Sequence, residues 1–255
     1  MLNINKRQGE IYQIIKERLC INVSDLISMF DVSAATIRKD LTLLERVGLV
    51  FRTHGEVHIA TQRESITPFE TRGCLHADAK RAIAKAAVNE IHDGESIILD
   101  SGSTTLEIAK LLTDFQQLTV ITNSLPAAMV LSTSKVTVTL VGGLLLGKNL
   151  SVQGPESERY LKQVEVDKAF IASTGVRRNI GLVASNALEA SVKNCMMKAA
   201  RKVYAVLDSS KFSISSIELF ADFSEIDAII TEKPIADPQQ AIRFRELGTQ
   251  VIVAD

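Results

Sequence analysis

Apolar residues recur at helical spacing near the N-terminus of the chain and predict three short helices. The first helix covers residues 6–19, and its buried stripe contains Ile11, Ile14, Ile15 and Leu19. Ser24 is placed to cap the second helix, whose inward residues are Leu26, Ile27 and Phe30. Ser33 is placed to cap the third helix, which begins at Ala34 and is expected to end at Gly48.

Two short strand-like runs follow the third helix and predict a hairpin. Residues 49–53 and 57–60 are rich in β-forming residues and flank His54-Gly55-Glu56, a turn signal. The next residues, 60–77, are polar, contain proline and glycine, and show no sustained periodicity, so they predict a linker.

Beyond this linker, short apolar runs alternate with amphipathic helices to the end of the chain. The expected strands are residues 97–99, 119–122, 137–141, 169–172, 203–207, 228–231 and 251–254. The expected helices are residues 79–91, 105–112, 188–201 and 238–247. This alternation is typical of an α/β domain with a mostly parallel sheet covered on both faces. We therefore expect one domain at residues 1–58, a linker at 59–77 and a larger α/β domain at 78–255.

Composition narrows the class of protein further. The 255 residues are 46% hydrophobic and 23% charged, which are ordinary proportions for a globular protein. The net charge of −1 excludes a protein coated with basic charge, although it leaves room for a local basic face. The apolar runs are far shorter than the ~20 residues that span a bilayer, and no apolar signal segment follows the first residues. We expect a cytoplasmic protein without a membrane partner.

The cysteines and histidines do not form a metal-binding pattern. Cys20, Cys74 and Cys195 are far apart, which is typical of free thiols in a reducing compartment. His54 and His58 are four residues apart in a strand-like stretch, with no nearby cluster of other ligands. We expect neither a metal nor a cofactor.

The outward face of the third helix carries cations beside small polar residues. At about 100° per residue, Ile37, Leu41 and Leu44 form its buried stripe. The opposite face and its flanks carry Ala35, Thr36, Arg38, Lys39, Thr42 and Arg46. Small residues permit close approach to a major groove, while Lys and Arg reach phosphates or guanine edges. An ordinary solvated face is the alternative, but the short helix and three-residue turn before this helix favour a helix-turn-helix.

Arg52 and His54 lie near the tip of the predicted hairpin, where a wing would meet DNA. Residues 32–57 closely resemble the winged helix-turn-helix of the DeoR family of bacterial transcription regulators. The matching residues are Val32, Ser33, Thr36, Ile37, Arg38, Asp40, Leu41, Leu44, Glu45, Gly48, Arg52, His54 and Gly55. Glu56 departs from the pattern, in which a second glycine is usual. Together, the helix face and the resemblance imply DNA contacts from Ser33, Ala35, Thr36, Arg38, Lys39, Thr42, Arg46, Arg52 and His54.

Small, polar or glycine-rich segments follow several of the predicted strands. They are residues 101–105, Asn123-Ser124, Gly142-Gly143 and 208–212, the last of which contains Lys211. Glycine lets the backbone approach a ligand closely, and free amides at a helix start favour an anion. Ligands of open parallel sheets bind beyond the carboxyl ends of the strands. The segments therefore predict one pocket, in which Lys211 could pair with a phosphate.

These segments resemble the sugar-phosphate-sensing domain of the same family over most of residues 76–255. The resembling stretches are DSGSTT, TNS, VGG, DKAFIASTG, EASVK and DSSKF. The resemblance implies an effector site lined by Gly102, Ser103, Thr104, Thr105, Thr122, Asn123, Gly142, Gly143 and Lys211. The same segments contribute Ser124 and two carboxylates, Asp100 and Asp208, which would orient sugar hydroxyls.

That domain is also similar to phosphosugar isomerases such as ribose-5-phosphate isomerase, so an enzyme with an N-terminal interaction module is the alternative. Asp100, Asp208 and Lys211 would then supply acid–base chemistry. Residues 142–149 nearly match a P-loop, but Asn149 replaces the required Ser or Thr. Fusion to a DNA-binding module favours sensing, so we expect no catalytic residue.

The expected function is that of a DNA-binding transcription regulator, more in keeping with a repressor of carbohydrate or polyol genes than with an activator. Its expected partners are double-stranded operator DNA and a phosphorylated sugar or polyol, which would shift the population of DNA-binding arrangements. One winged helix reads a short half-site, so a homo-oligomer, either a dimer or a tetramer, is expected.

Overall fold

The computed structural model describes residues 5–18, 20–46, 49–52, 55–59, 69–147, 149–214, 216 and 218–254. The chain divides into two compact units, Met1–Leu75 and His76–Asp255. Gly48, the wing residue His54 and residues 60–68 of the expected linker lie outside the described residues. Within the described ranges, no helix combines the length and the apolar character needed to cross a membrane.

The described part of the N-terminal unit contains short helices and a three-stranded antiparallel sheet. The helices are α1 (Lys6–Arg18), α2 (Val23–Ser28), α3 (Ala34–Arg46) and α4 (Phe69–Cys74). The strands are β1 (Cys20–Asn22), β2 (Val50–Arg52) and β3 (Glu56–Ile59), in the order β1-β3-β2. The sequence predicts the β2–β3 hairpin. It does not predict β1, which is too short for a periodic signal, or α4, which lies in the stretch assigned to the linker.

Helices α1 to α3 pack on a small apolar core. Its buried side chains include Ile11, Ile15, Leu26, Ile37, Leu41, Leu44 and Val57. Ser33 caps α3 as predicted, because its Oγ accepts a hydrogen bond from the Thr36 N–H at 3.2 Å. The prediction that Ser24 caps α2 is wrong: β1 runs directly into the helix, which begins at Val23 with Asn22 as its N-cap. Leu19, assigned to the stripe of α1, lies outside the described residues.

The C-terminal unit alternates strands and helices along the chain. Its strands are β4 (Ser96–Leu99), β5 (Thr119–Thr122), β6 (Thr137–Leu140), β7 (Leu144–Leu146), β8 (Ser151–Gln153), β9 (Val166–Ile171), β10 (Gly175–Arg177), β11 (Gly181–Ala184), β12 (Ala200–Val206), β13 (Glu218–Asp222), β14 (Ala228–Thr231) and β15 (Gln250–Val253). Its helices are α5 (Ala77–Val88), α6 (Ser103–Leu111), α7 (Leu125–Leu131), α8 (Pro155–Leu161), α9 (Ala187–Lys198) and α10 (Pro238–Leu247). Single 3-10 turns occur at Leu112–Asp114, Ser209–Ser213 and Phe223–Glu225.

A seven-stranded parallel sheet in the order β15-β14-β12-β9-β4-β5-β6 forms the centre of this unit. The seven apolar runs identified in the sequence are these seven strands, so the predicted fold class is confirmed. Two small antiparallel sheets, β7-β8 and β10-β11-β13, accompany it. The sequence does not predict these additional strands.

Successive residues of the central strands enter two different apolar cores, one on each face of the sheet. Ile97 and Leu99 pack with α5, α6 and α7, whereas Ile98 packs with α8, α9 and α10. Burial on both faces explains why these strands read as continuous apolar runs in the sequence.

The strand order reverses between β4 and β9. From β4 the chain proceeds through β5 to β6 at one edge, then returns to the other side of β4 and continues from β9 to β15. At such a reversal the connections leave the carboxyl ends of the two central strands in opposite directions, which opens a crevice above them. This edge of the sheet is therefore the place to look for a ligand.

Candidate functional site

Helix α3 presents an exposed cationic face in the N-terminal unit. Ile37, Leu41 and Leu44 are buried, as the periodicity predicts. The exposed residues on the other side include Ala35, Arg38, Lys39, Thr42 and Arg46. Within the described ranges, none of the three cations forms an ion pair. Their charge is therefore available to an external partner.

A buried carboxylate fixes the rotation of α3 against α1. The Arg7 Nε donates to Asp40 Oδ2 at 2.6 Å, and the Gln8 Nε2 donates to Asp40 Oδ1 at 2.8 Å. Both oxygens of the buried Asp40 are thus satisfied, and the bond from Arg7 raises the pKa of its guanidinium. Because Asp40 is anchored inward, Lys39 is turned toward solvent.

Some of the predicted DNA contacts are already engaged inside the protein. The Ser33 and Thr36 hydroxyls lie 2.8 Å apart at the start of α3, and the Thr42 Oγ1 donates to the Arg38 carbonyl at 2.8 Å. The Arg52 guanidinium donates to Glu45 Oε2 at 2.6 and 2.9 Å, which lowers the pKa of Glu45. Arg52 therefore holds strand β2 against α3, whatever else it contacts.

The other group of candidate residues gathers at the carboxyl edge of the central sheet. Asp100 follows β4, Asn123 follows β5, Gly142 and Gly143 follow β6, and Asp208 follows β12 shortly before Lys211. In the sheet order β12-β9-β4-β5-β6 these strand ends lie side by side. The structure therefore brings together the segments that the sequence assigns to one pocket.

A buried ion pair lies at the centre of this edge. The Lys193 Nζ, on α9, donates to Asp100 Oδ2 and also to the Ala172 carbonyl at 2.9 Å, and it lies 3.5 Å from Glu189 Oε1. The Lys193 and Asp100 side chains are 2% and 0% exposed. Asp100 Oδ2 also accepts from the Ala172 N–H at 3.0 Å. Burial raises the pKa of Asp100, while Lys193 acts in the opposite direction.

The stretch EASVK belongs to the resemblance, but the sequence alone assigns neither Lys193 nor Glu189 to the site. A signal was present, because Glu189, Val192, Lys193 and Met196 follow the spacing i, i+3, i+4, i+7 of one helix face. All four are buried. A charged pair aligned with the apolar stripe of a helix indicates buried partners elsewhere in the fold.

The N-terminus of α6 has amides and hydroxyls in the arrangement that anion sites use. Gly102 is its N-cap and provides no side-chain cap, so the first amides of the helix keep their hydrogen-bonding capacity. Ser103 and Thr104 are 8% and 5% exposed, and their hydroxyls have no bond among the described residues. The hydroxyls and amides make this helix start a candidate anion site.

Other predicted residues hold the loops of the site in place. The Thr105 Oγ1 donates to the Asp100 carbonyl at 2.6 Å, and the Thr122 Oγ1 donates to the Leu99 carbonyl at 2.6 Å. The Ser124 Oγ accepts from the Ala127 N–H at 3.3 Å and so caps α7. These hydroxyls serve the framework around the site.

Four buried oxygens at this edge have no hydrogen-bond partner among the residues that the structure describes. They are Asp100 Oδ1, Asn123 Oδ1, Gln153 Oε1 and Asp208 Oδ2. A buried acceptor without a partner costs about 1–3 kcal/mol, so such atoms are rare in folded proteins. All four are acceptors, and a bound molecule that carries hydrogen-bond donors would satisfy them.

Replacing Gly102 with Ala is expected to destabilise the C-terminal unit by about 1–3 kcal/mol. The added Cβ would lie 2.7 Å from the Ala172 Cβ, although the φ of −159° is open to any residue. Urea unfolding measures the effect. The matched control is Gly147→Ala, since a Cβ there meets nothing within 4 Å. Adding Ala172→Gly removes the closer contact and leaves only the Thr105 Oγ1 at 3.3 Å, so it should restore part of the stability; failure of that rescue would contradict the steric explanation.

Comparison with known proteins identifies both units. Residues 7–63 match the DeoR-like helix-turn-helix domain, and residues 75–233 match the DeoR C terminal sensor domain. The chain is 36% identical to the HTH-type transcriptional regulator YulB of Bacillus subtilis, over 92% of this chain and 91% of that protein. It is 33% identical to the L-fucose operon activator of Haemophilus influenzae, over 93% and 95% of the two chains.

Further similarity comes from a repressor and from a solved enzyme structure. The chain is 32% identical to the transcriptional repressor AccR of Agrobacterium fabrum, over 89% of this chain and 88% of that protein. A D-ribose-5-phosphate isomerase in complex with phospho-erythronic acid is 20% identical, with a TM-score of 0.41 over 53% of this chain and 54% of that chain. The family domains and the full-length relatives agree with the winged helix and with the sensor segments found in the sequence. The chain belongs to the DeoR family of transcription regulators.

Proposed function

We propose that this chain is a transcriptional repressor of genes for carbohydrate or polyol use, and that a phosphorylated sugar or polyol controls it. The observation that carries the proposal is that one chain holds both an α3 face whose three cations have no ion pair within the described residues and a cluster of buried acceptor groups beside a helix start at the carboxyl ends of the strands. The relatives support regulation of sugar genes, since one of them is named for an L-fucose operon.

On the DNA side, we assign base and phosphate contacts to Arg38, Lys39 and Arg46, with Ala35 allowing close approach to the major groove. Ser33, Thr36 and Thr42 lie on or beside the same face. Arg52 acts mainly by holding the wing strand against the helix through Glu45. His54, which belongs to the same assignment, lies outside the described residues.

On the effector side, the phosphate binds at the start of α6, where Gly102, Ser103 and Thr104 offer amides and hydroxyls. Lys211 adds a cation from the segment after β12. Asp100, Asn123 and Asp208 each have one oxygen without a partner within the described ranges, and these oxygens accept hydrogen bonds from the hydroxyls of the effector. Gly142 and Gly143 border this region at the end of β6. Effector binding shifts the population toward an arrangement with lower DNA affinity.

The repressor acts as a homo-oligomer in the cytoplasm. One recognition helix covers only a short half-site, and specificity for an operator comes from pairing half-sites through the symmetry of a dimer or tetramer. Residues 1–58 form the DNA-binding part, residues 59–77 the connection, and residues 78–255 the sensing and oligomerisation part. The isomerase alternative is not favoured, because relatives along nearly the whole chain are named as regulators.

A mobility-shift assay of the full chain on the DNA upstream of its own gene tests the proposal. We expect a salt-sensitive complex that a phosphorylated sugar or polyol dissociates. The panel contains D-ribose 5-phosphate, D-fructose 6-phosphate and D-sorbitol 6-phosphate, with the unphosphorylated sugars as controls. Turnover of a sugar phosphate without any DNA affinity would overturn the proposal in favour of the enzyme.

Replacing Lys211 with Ala is expected to weaken the response to the effector by about tenfold, because one charge-assisted bond to phosphate is lost. The concentration of sugar phosphate that releases half of the DNA measures the change. Lys202→Ala is the matched control, since Lys202 is exposed on β12 of the same unit. An unchanged response in Lys211→Ala would remove this residue from the effector site.

A further inference from the structure

Gln153 on β8 occupies a position at the carboxyl edge of the sheet that no motif predicted. The Val152 N–H donates to the Asn123 carbonyl at 2.8 Å, and the Asn123 Nδ2 donates to the Val152 carbonyl at 3.2 Å. Strand β8 is thereby fixed across the end of β5. On its other side, a Cβ on Gly143 would lie 2.6 Å from the Gln153 carbonyl oxygen. Gln153 is therefore held between the ends of β5 and β6.

Only one of the two polar atoms in each side-chain amide of Asn123 and Gln153 forms a hydrogen bond within the described residues. Each side-chain nitrogen has a partner, the Val152 carbonyl for Asn123 and the Ser151 Oγ, at 3.1 Å, for Gln153. The Asn123 Oδ1 and the Gln153 Oε1 have no partner in the described part of the chain, although both residues are at least 98% buried. A carbonyl can only accept, so the Asn123 amide cannot be turned around to use its oxygen instead. With the Gln153 Nε2 directed at Ser151, two acceptors on adjoining segments lack donors among the described residues.

We infer that Gln153 and Asn123 form a hydroxyl-binding wall that selects the polyol part of the effector. The inference rests on the proposed function and specifies which end of the bound molecule faces α6 and which end faces β8. The dianionic phosphate group of a sugar phosphate carries only acceptor oxygens and negative charge, so it does not satisfy acceptor oxygens. The phosphate therefore lies at the start of α6, after β4, and the hydroxyl end lies at β8, beyond β5. Neighbouring strands are about 4.8 Å apart, a distance that a short hydroxylated carbon chain spans.

The wall explains why a sugar phosphate, and not phosphate alone, would be the signal. Each hydroxyl that donates to Oδ1 or Oε1 satisfies a buried acceptor that the free protein leaves unmet. The free energy gained from these hydrogen bonds is therefore available only when the sugar phosphate is bound. Inorganic phosphate engages the α6 end alone and leaves both acceptors without partners.

Gln153→Met provides the test, since methionine has similar volume and no acceptor. Isothermal titration of the full chain with D-ribose 5-phosphate, D-fructose 6-phosphate, D-sorbitol 6-phosphate and inorganic phosphate measures binding directly. We expect the best hydroxylated ligand to bind far more tightly than phosphate to the native chain and about tenfold more weakly to Gln153→Met. The affinity for inorganic phosphate should not change.

A stability measurement separates this role from a structural one. Removing an unmet acceptor should leave the urea midpoint of Gln153→Met unchanged or raised, whereas an amide needed for folding would lower it. Gln240→Met on α10 is the matched control. Gln240 is also a buried glutamine with an unpartnered amide atom, but it lies on the helix that leads to edge strand β15. Its variant should bind all ligands normally.

Two results for the native chain would overturn the inference: equal affinity for phosphate and for the sugar phosphates, or no binding of any sugar phosphate. Two results for Gln153→Met would do the same: a lowered urea midpoint, or an unchanged affinity for the hydroxylated ligand. Failure of the proposed function has a different signature, namely the absence of a DNA complex in the mobility-shift assay. Because titration needs no DNA, the two failures are distinguishable.

Discussion

Replacing both Arg38 and Lys39 with Ala is expected to lower operator affinity by about 30- to 700-fold per binding site while leaving the protein folded. An Arg that contacts a guanine contributes about 1–3 kcal/mol and a Lys on a phosphate about 1 kcal/mol, and 1.4 kcal/mol corresponds to tenfold. Loss of phosphate contacts also flattens the salt dependence, by about one unit of slope for each contact removed. Fluorescence anisotropy at several salt concentrations measures both quantities.

Folding should not suffer, because both side chains are exposed and have no ion-pair partner in the described part of the chain. Alanine is also the residue most favourable to a helix interior. The buried contacts that orient α3, from Arg7 and Gln8 to Asp40, are left intact. A loss of binding would therefore report on the DNA face itself.

The matched control is the double variant Lys16→Ala and Arg18→Ala. Both residues are exposed cations in the last turn of α1, so the variant loses the same charge from the same unit. Long-range electrostatic attraction falls equally in the two proteins, but only the α3 variant should lose base contacts. If the α3 variant bound the operator as tightly as the control does, the assignment of this face to DNA would be wrong.

The seven strands of the parallel sheet could be predicted because their signal is local. Runs such as 119–122 and 228–231 have consecutive apolar residues at their centres, because those side chains are buried on one face of the sheet or the other. The strands that were missed, such as β7 and β11, have three or four residues and belong to small antiparallel sheets. These short segments are strands because they pair with segments elsewhere in the chain. Many other runs of three or four residues have a similar composition, so the sequence does not distinguish the strands from them.

The candidate site can likewise be predicted from the sequence only where its residues are marked by a local pattern. Asp100 and Asn123 are recognisable because they directly follow strands, and a parallel sheet places strand ends together. Lys193 is 93 residues from Asp100 in the chain. Its role depends on how α9 is laid against the sheet, which no local pattern encodes. Gln153 depends likewise on the course of β8. For Arg52, the sequence could not show that Glu45 already occupies its guanidinium.

Replacing Lys193 with Met is expected to lower the free energy of unfolding by about 3–5 kcal/mol at neutral pH, the typical cost of leaving a buried charge without its partner. The variant would keep two carboxylates, Asp100 and Glu189, near one another without a cation between them. Burial already raises the pKa of Asp100, and removal of Lys193 takes away the main opposing influence. Urea unfolding at several pH values measures the effect.

The pH dependence has a definite sign. A carboxyl whose pKa is higher in the folded than in the unfolded state favours folding fully only below its unfolded pKa, about 3.9 for Asp. That contribution is lost as the pH rises through the folded pKa. The stability difference between the native chain and Lys193→Met should therefore be largest near pH 7 and shrink toward pH 4. A difference independent of pH would mean that lost packing, and not the unpaired carboxylate, causes the destabilisation.

Asp100→Asn should lower the free energy of unfolding less than Lys193→Met does, because Lys193 keeps Glu189 as a counter-charge at 3.5 Å. Combining the two substitutions removes both members of the pair and should recover much of the stability that Lys193→Met loses, since apolar or neutral replacements of a whole buried pair are often tolerated. The effector response should not recover, because the substituted side chain of residue 100 no longer presents a carboxylate to the ligand. If stability returned and the response returned with it, the pair would serve only the fold. If the double variant regained stability but did not respond to the effector, the buried charges would serve sensing.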